Sequence, residues 1–199
     1  MPDTFRVLLF WLAVAFSLLL LHTSSVSLAY LEYNRSLIMN HGQWWRIWTC
    51  NWVHLSNAHV LMDVGFMLLV VLLLIDKTTI WEGLVILSVI PLGVGLGLLF
   101  FVPSIVQYAG FSGVDQGLLS YAIIRSWSSD RALFSLFLIA QFLRLCWEHS
   151  SFYNPYYMYH VLHAAVAYQA HTYGAITGLF CALSRRALYE IKSSADSVA

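Results

Sequence analysis

Apolar residues are gathered into long blocks along this chain, and polar residues fill the gaps between the blocks. A helix needs roughly 20 mostly apolar residues to cross a bilayer. The pattern therefore predicts an all-α membrane protein with six transmembrane helices, TM1 to TM6 in chain order. They cover residues 7–26, 60–75, 80–101, 112–125, 132–147 and 160–183. We expect residues 1–192 to form one bundle and residues 193–199 to be a disordered tail.

Two connections between the blocks depart from simple turns. TM4 is too short to cross alone, so we expect it to begin below the membrane surface, after a loop that dips inward. The connection from TM1 to TM2 is about 30 residues long, more than a compact bundle needs. It holds four tryptophans, and three of them, Trp44, Trp48 and Trp52, recur at the spacing of one helical face. The segment is predicted to lie in the headgroup layer, either as part of a site or as a plain aromatic anchor.

Composition also favours a membrane protein, because 60% of the 199 residues are apolar and only 10% are charged. A soluble domain carries about 25% charged residues. The net charge is zero, so no nucleic-acid partner is expected. Most arginines and lysines fall on the side of the two termini, which predicts that both termini are cytoplasmic. TM1 also has the features of a signal-peptide core, but a six-helix bundle needs it, so we expect it to be retained.

Ionisable side chains inside the spans are the candidate chemistry, because a bilayer makes them costly to bury. His59 and Asp63 lie four residues apart, on one face of TM2. Ser112 stands where TM4 begins, and His171 lies near the middle depth of TM6. A serine and a histidine suffice for a nucleophile and its general base, so the pattern predicts a hydrolytic site.

Other residues would complete such a site. The Ser112 backbone N–H, at the positive end of TM4, and the His59 side chain would meet the oxyanion of the reaction intermediate. Four glycines are spaced so that TM4 and TM6 can approach closely, namely Gly113, Gly117, Gly174 and Gly178. The sequence contains neither an HExxH nor a CxxC motif, so we expect no metal and no cofactor.

Several of these residues fall in short motifs with a fixed order. The motifs are Trp45-Arg46 after TM1, His54 and His59 around the start of TM2, Gly110-Phe111-Ser112-Gly113 opening TM4, and Ala170-His171-x-x-Gly174-x-x-x-Gly178 in TM6. In this combination the chain resembles the rhomboid family of intramembrane serine proteases, which act on membrane-anchored proteins with a transmembrane segment. The resemblance implies that Ser112 is the nucleophile, His171 the base and His59 the oxyanion-hole histidine. It also implies that Trp45-Arg46 belongs to a membrane-embedded loop and that His54 is structural.

Two positions depart from the usual pattern of that family. Asp63 stands where an asparagine is usual, and an ionised carboxylate there would repel an oxyanion. We therefore expect Asp63 either to be protonated during catalysis or to point away and bond a loop. Asp115-Gln116 stands where many members carry an aromatic residue that stacks on the histidine.

Asp63 and the segment GFSGVDQGLL resemble one branch of the family, the rhombosortases. That resemblance implies removal of a C-terminal sorting tail from exported bacterial proteins. Such a tail consists of a Gly-Gly motif, a hydrophobic helix and a basic end. The resemblance also implies a place in the bacterial inner membrane, with the site open to the periplasm.

Two other functions compete with an active protease. The change at Asp63 is compatible with a catalytically inactive relative that binds and escorts membrane clients. The eight histidines are compatible with a membrane protein that ligates haem or a metal, although the histidines in the spans lack paired ligand spacing. Labelling by a serine-directed fluorophosphonate tests the first alternative, and visible absorbance or metal analysis tests the second.

Overall fold

The computed structural model describes residues 2–22 and 24–196, and most of them are helical. The long helices of this part are α1 (Pro2–His22), α5 (Asn57–Leu74), α6 (Ile80–Phe101), α7 (Ser112–Ser126), α8 (Arg131–Glu148) and α10 (Tyr168–Asp196). Shorter elements join them: α2 (Ser25–Leu31), β1 (Tyr33–Asn34), α3 (Arg35–His41), α4 (Arg46–Thr49), a 3-10 turn (Cys50–Trp52), β2 (Gln107–Tyr108) and α9 (Tyr159–Leu162).

Three of the long helices have the length and composition needed to cross a membrane. They are Asp3–His22, Asn57–Leu74 and Ile80–Phe101. Large apolar side chains on their outer faces remain exposed, among them Phe16, Leu72 and Phe100. Broad apolar faces of this kind are suited to lipid rather than water. The prediction of a helical membrane protein is therefore confirmed, and the count of six spans stays a prediction.

Capping side chains mark the starts of α5 and α6. α6 begins after Thr79, whose hydroxyl accepts the Glu82 backbone N–H at 3.2 Å, while the Glu82 carboxylate accepts the Thr79 N–H at 2.8 Å. α5 begins before residue 60 because the Ser56 hydroxyl caps it, accepting the backbone N–H of His59 at 3.1 Å.

The last long helix differs from its prediction at both ends. Residues 160–167 do not belong to it. α9 is followed by His163 in the left-handed conformation (φ 60°), and α10 begins only at Tyr168. The helix also continues through Asp196, so residues 193–196 are helical rather than a disordered tail. The rest of that predicted tail, residues 197–199, lies outside the described residues.

The long connection between α1 and α5 is folded, and a buried arginine holds it together. The Arg46 guanidinium donates to the Glu32 carbonyl at 2.7 Å and to the Ala29 carbonyl at 2.9 Å. Strand β1 pairs antiparallel with β2, with Tyr33 opposite Tyr108. This short ladder is a departure from the predicted all-α fold, and it ties the connection to the loop that precedes α7.

The tryptophans of the connection do not share one helical face as predicted. Trp44 is exposed and precedes α4, which ends before the 3-10 turn begins at Cys50. Only Trp48 and Trp52 of that set contact each other, with ring centroids 5.2 Å apart. Trp45 is half exposed, and its indole N–H donates to the Tyr30 carbonyl at 3.1 Å, so it anchors the connection to α2.

The main apolar core lies between α1, α5, α6 and α7, where it buries Trp11, Met67, Ile90 and Leu118. Glycines on α6 allow two further helices, α4 and α10, to approach this core. A Cβ on Gly95 of α6 would overlap the carbonyl of Ile47 in α4, and Cβ atoms on Gly93 and Gly97 would overlap side chains of α10. These glycines allow α4 and α10 to pack directly on α6.

Candidate active site

Ser112 is the first residue of α7, and a strained loop sets its position. Gly110 has φ 142°, a conformation that favours glycine, and a Cβ there would lie 2.7 Å from the His59 ring. The Tyr108 hydroxyl donates to the Gly110 carbonyl at 2.7 Å. Burial raises the pKa of Tyr108 above its usual range, so this hydroxyl stays protonated and keeps donating.

His171 lies on α10, which packs backbone to backbone on α7. A Cβ on Gly174 would overlap the Gly113 carbonyl, and a Cβ on Gly178 would overlap the Gly117 carbonyl. The reverse contact is equally close, since a Cβ on Gly117 would lie 2.7 Å from the Gly174 carbonyl. We call these four glycines the glycine seam. The seam lets the first turn of α10 lie beside the first turn of α7.

The seam brings the proposed nucleophile and base into contact. Ser112 Oγ lies 3.1 Å from His171 Nε2, within hydrogen-bond distance. Both residues line a cavity of about 200 Å³, and His171 itself is only 3% exposed. The cavity is also lined by His59, Asp63, Tyr108, Asp115, Gln116 and Arg144, and by the segment from Ala164 to Ala167 that precedes α10. A serine hydroxyl and an imidazole in this arrangement can carry out nucleophilic attack with general-base assistance.

A third side chain, which was not predicted, contacts this pair. The Glu148 carboxylate, at the C-terminal end of α8, lies 2.9 Å from His171 Nδ1. Arg144, one turn earlier, contacts the other carboxylate oxygen at 3.2 Å. The only available signal was a single glutamate ending an apolar helix four residues after an arginine, a pattern that also fits a residue at a membrane boundary.

Asp63 lies beneath the loop that leads into α7. Its Oδ2 accepts the Phe111 backbone N–H at 2.8 Å and lies 3.1 Å from His54 Nε2 and 3.5 Å from His59 Nε2. Asp63 therefore bonds the loop, and its protonation during catalysis stays a prediction. His54 is buried behind it, and both His59 and Asp63 line the cavity.

Asp115 and Gln116, which stand where an aromatic residue was discussed above, have different surroundings. Asp115 is buried beside the cavity, and its Oδ1 has no hydrogen-bond partner within the described ranges. Gln116 is bonded instead to α8, since the Gln141 side-chain amide donates to its backbone carbonyl at 2.9 Å and to its side-chain oxygen at 3.2 Å.

The remaining predicted residues lie away from the reacting atoms. Trp45 and Arg46 stabilise the connection before α5 and do not line the cavity. Within residues 2–22 and 24–196, no group of three or more histidine, cysteine, aspartate or glutamate side chains is arranged to hold a metal ion.

Comparison with protein families finds a match to this chain. A family model described as Rhomboid domain matches residues 41–187, which include α4 to α9 and most of α10. A search of curated proteins finds no match for the chain.

Proposed function

Because this chain belongs to the rhomboid family, whose members are intramembrane serine proteases, we propose that it is an active endopeptidase for membrane-anchored proteins. Ser112 is the nucleophile and His171 the general base of this proposal. The observation that carries it is the 3.1 Å contact between Ser112 Oγ and His171 Nε2 at a cavity inside a helical membrane protein.

The reaction proceeds in two stages. Ser112 Oγ attacks the scissile carbonyl carbon while His171 Nε2 takes the hydroxyl proton, and a tetrahedral intermediate forms. The C–N bond then breaks, His171 returns the proton to the leaving amine, and an acyl-enzyme remains on Ser112. Water, activated by His171, cleaves this ester and releases the second product.

Two groups are placed to stabilise the oxyanion. The first backbone N–H groups of a helix have no acceptor within that helix, so the Ser112 N–H is available at the positive end of α7. The His59 ring lines the same cavity and packs on Gly110, two residues before the nucleophile. Donors fixed in advance at such positions stabilise charge as it develops in the transition state.

The finer proposal concerns topology and substrate. We propose that α1, α5, α6, α7, α8 and α10 are six spans of a bacterial inner-membrane protein, with both termini cytoplasmic and the cavity facing the periplasm. The substrates are exported proteins with a C-terminal sorting tail, cut at its Gly-Gly motif. The resemblance of GFSGVDQGLL to rhombosortases supports this substrate, and a cavity of about 200 Å³ suits small residues near the cut.

The catalytic assignment is tested by substitution and labelling. Ser112→Ala should abolish covalent labelling by a fluorophosphonate, and His171→Ala should slow it by about 10²- to 10⁴-fold, the usual contribution of a general base. Ser88→Ala, at an exposed serine of α6, is the control and should label like the wild type. A folded wild-type protein that does not react with the reagent would instead favour an inactive relative that escorts clients.

The substrate is tested in cells. Wild type and Ser112→Ala should each be co-expressed with exported proteins that carry Gly-Gly sorting tails, and the C-termini compared by mass spectrometry. We expect shortened C-termini with the wild type alone. If the protein labels at Ser112 but leaves these tails intact, the protease assignment stands and the substrate class is wrong.

A further inference from the structure

Both ring nitrogens of His171 have partners on other helices. Nε2 faces Ser112 Oγ at 3.1 Å, and Nδ1 faces Glu148 Oε2 at 2.9 Å. An ionised carboxylate can only accept a hydrogen bond. A carboxylate at Nδ1 therefore keeps the proton of the neutral ring on Nδ1 and leaves the Nε2 lone pair directed at the serine hydroxyl.

Glu148 is itself held in place. Its side chain is buried, and Arg144, one helical turn away, contacts Oε1 at 3.2 Å while Oε2 faces the histidine. A buried carboxylate is costly unless both oxygens are paired, and here each has a partner. The pairing favours a single orientation of the carboxylate against the imidazole.

We propose that Glu148 is a positioning residue that extends the Ser112–His171 pair into a hydrogen-bonded triad across α7, α10 and α8. This inference rests on the proposed function. When His171 takes the proton from Ser112, the ring gains a positive charge and carries N–H groups at both nitrogens. Glu148 stabilises that charge and fixes the ring, and it does not take the proton itself.

A purely structural role for Glu148, as a tie between α8 and α10, is the competing interpretation. A comparable hydrogen bond lies at the adjacent positions, where His149 Nε2 is 2.8 Å from Thr172 Oγ1. Thr172→Val removes that tie between the same two helices without touching either ring nitrogen of His171. Comparison of the two sites therefore separates orientation of the base from helix packing.

The experiment measures fluorophosphonate labelling of the purified full-length protein over a range of reagent concentrations. In this reaction Ser112 Oγ bonds to phosphorus, fluoride leaves, and His171 accepts the hydroxyl proton. Glu148→Gln can donate its amide to Nδ1, which would leave the ring proton on Nε2 and prevent it from accepting. We expect the maximal labelling rate to fall by about 10²- to 10⁴-fold with an unchanged half-saturating concentration.

Glu148→Asp keeps the charge but withdraws the carboxylate by one methylene, so its labelling rate should be intermediate between wild type and Glu148→Gln. Thr172→Val should label at the wild-type rate. Thermal unfolding of each variant shows whether the fold is retained. If Glu148→Gln does not fold, Glu148→Asp decides the question, and a wild-type rate in that variant overturns the inference.

Two outcomes contradict the positioning role of Glu148 directly. One is a folded Glu148→Gln protein that labels within about twofold of wild type, well below the expected contribution of an oriented base. The other is a loss of labelling in Thr172→Val as large as that in Glu148→Gln, which would assign the effect to helix packing. Failure of the wild type itself to label at Ser112 would instead contradict the proposed function.

Discussion

The two helices that flank α7 on its catalytic side, α10 and α8, are held to it by opposite kinds of contact. α10 meets α7 along the glycine seam, where backbone carbonyls occupy the space that side chains would need. α8 buries only three side chains, Phe134, Gln141 and Glu148, and two of them are polar. The Gln141 amide is its main bond to α7.

The two kinds of contact have different consequences for the site. Close-packed backbone leaves little freedom, so the seam fixes the distance between Ser112 and His171. Polar bonds between helices in a membrane contribute little each, on average about 0.6 kcal/mol. The proposed orienting group, Glu148, therefore stands on the more weakly held helix, and substitutions on the two sides should have unequal effects.

The largest effect is expected in the seam. Gly174→Val places a branched side chain against the Gly113 carbonyl, so α10 must move away from α7. The destabilisation should exceed the roughly 1–3 kcal/mol typical of an overpacked core, because the neighbouring atoms are backbone. Thermal unfolding and fluorophosphonate labelling should both show severe loss.

Gly65→Val is the matched control, because a Cβ at Gly65 of α5 meets no atom within 4 Å. It should keep wild-type labelling and change stability by less than about 1 kcal/mol. A stable and reactive Gly174→Val protein would show that the seam does not set the distance between nucleophile and base.

A smaller effect is expected at Asp63, which joins α5 to the loop before α7. Asp63→Ala leaves the Phe111 N–H with only its longer contact to His54 Nε2 at 3.3 Å and should cost about 1–3 kcal/mol. Asp63→Asn keeps an oxygen at the same position, so it should retain both fold and labelling. The comparison uses unfolding midpoints and labelling rates of the two variants. Equal midpoints, or an Asn variant that folds but is inactive, would contradict the loop-bonding role.

The smallest effect is expected at the polar contact of α8. Gln141→Leu keeps the side-chain size but loses the bonds to Gln116 and to the Ser120 hydroxyl, which donates to Gln141 Oε1 at 3.0 Å. We expect a loss of about 0.6–1.7 kcal/mol, with less reduction in labelling than in Glu148→Gln.

A double-mutant cycle with Ser120→Ala measures the pairwise part of that loss. The double variant should be less destabilised than the sum of the single variants, because the second substitution removes a partner that is already unpaired. Strict additivity would mean that the Ser120–Gln141 bond contributes nothing to the docking of α8.

The sequence alone predicted those structural features whose signal lies within one short segment of the chain. The apolar run predicted a helix over residues 80–101, and the bounds of α6 agree with it. The seam glycines could be anticipated because their four-residue spacing is a property of one helix at a time. The GFSG and AHxxGxxxG motifs likewise named the two residues that lie in contact.

Features that depend on distant packing or on one backbone angle were missed. The left-handed His163 interrupts the last predicted span, and because positive φ is uncommon for any residue but glycine, the presence of a histidine does not predict it. Glu148 precedes His171 by 23 residues and belongs to another helix, so only the docking of α8 brings the two together. The bond from Asp63 to the Phe111 N–H likewise depends on a loop 48 residues away.

The last long helix also determines when Ser112 and His171 can first come into contact. Ser112 and His171 are 59 residues apart, and α10 is synthesised after every other helix of the bundle. At about 5–20 residues per second, the serine is made several seconds before its partner. A nascent chain stalled before α10 therefore carries Ser112 without His171 beside it.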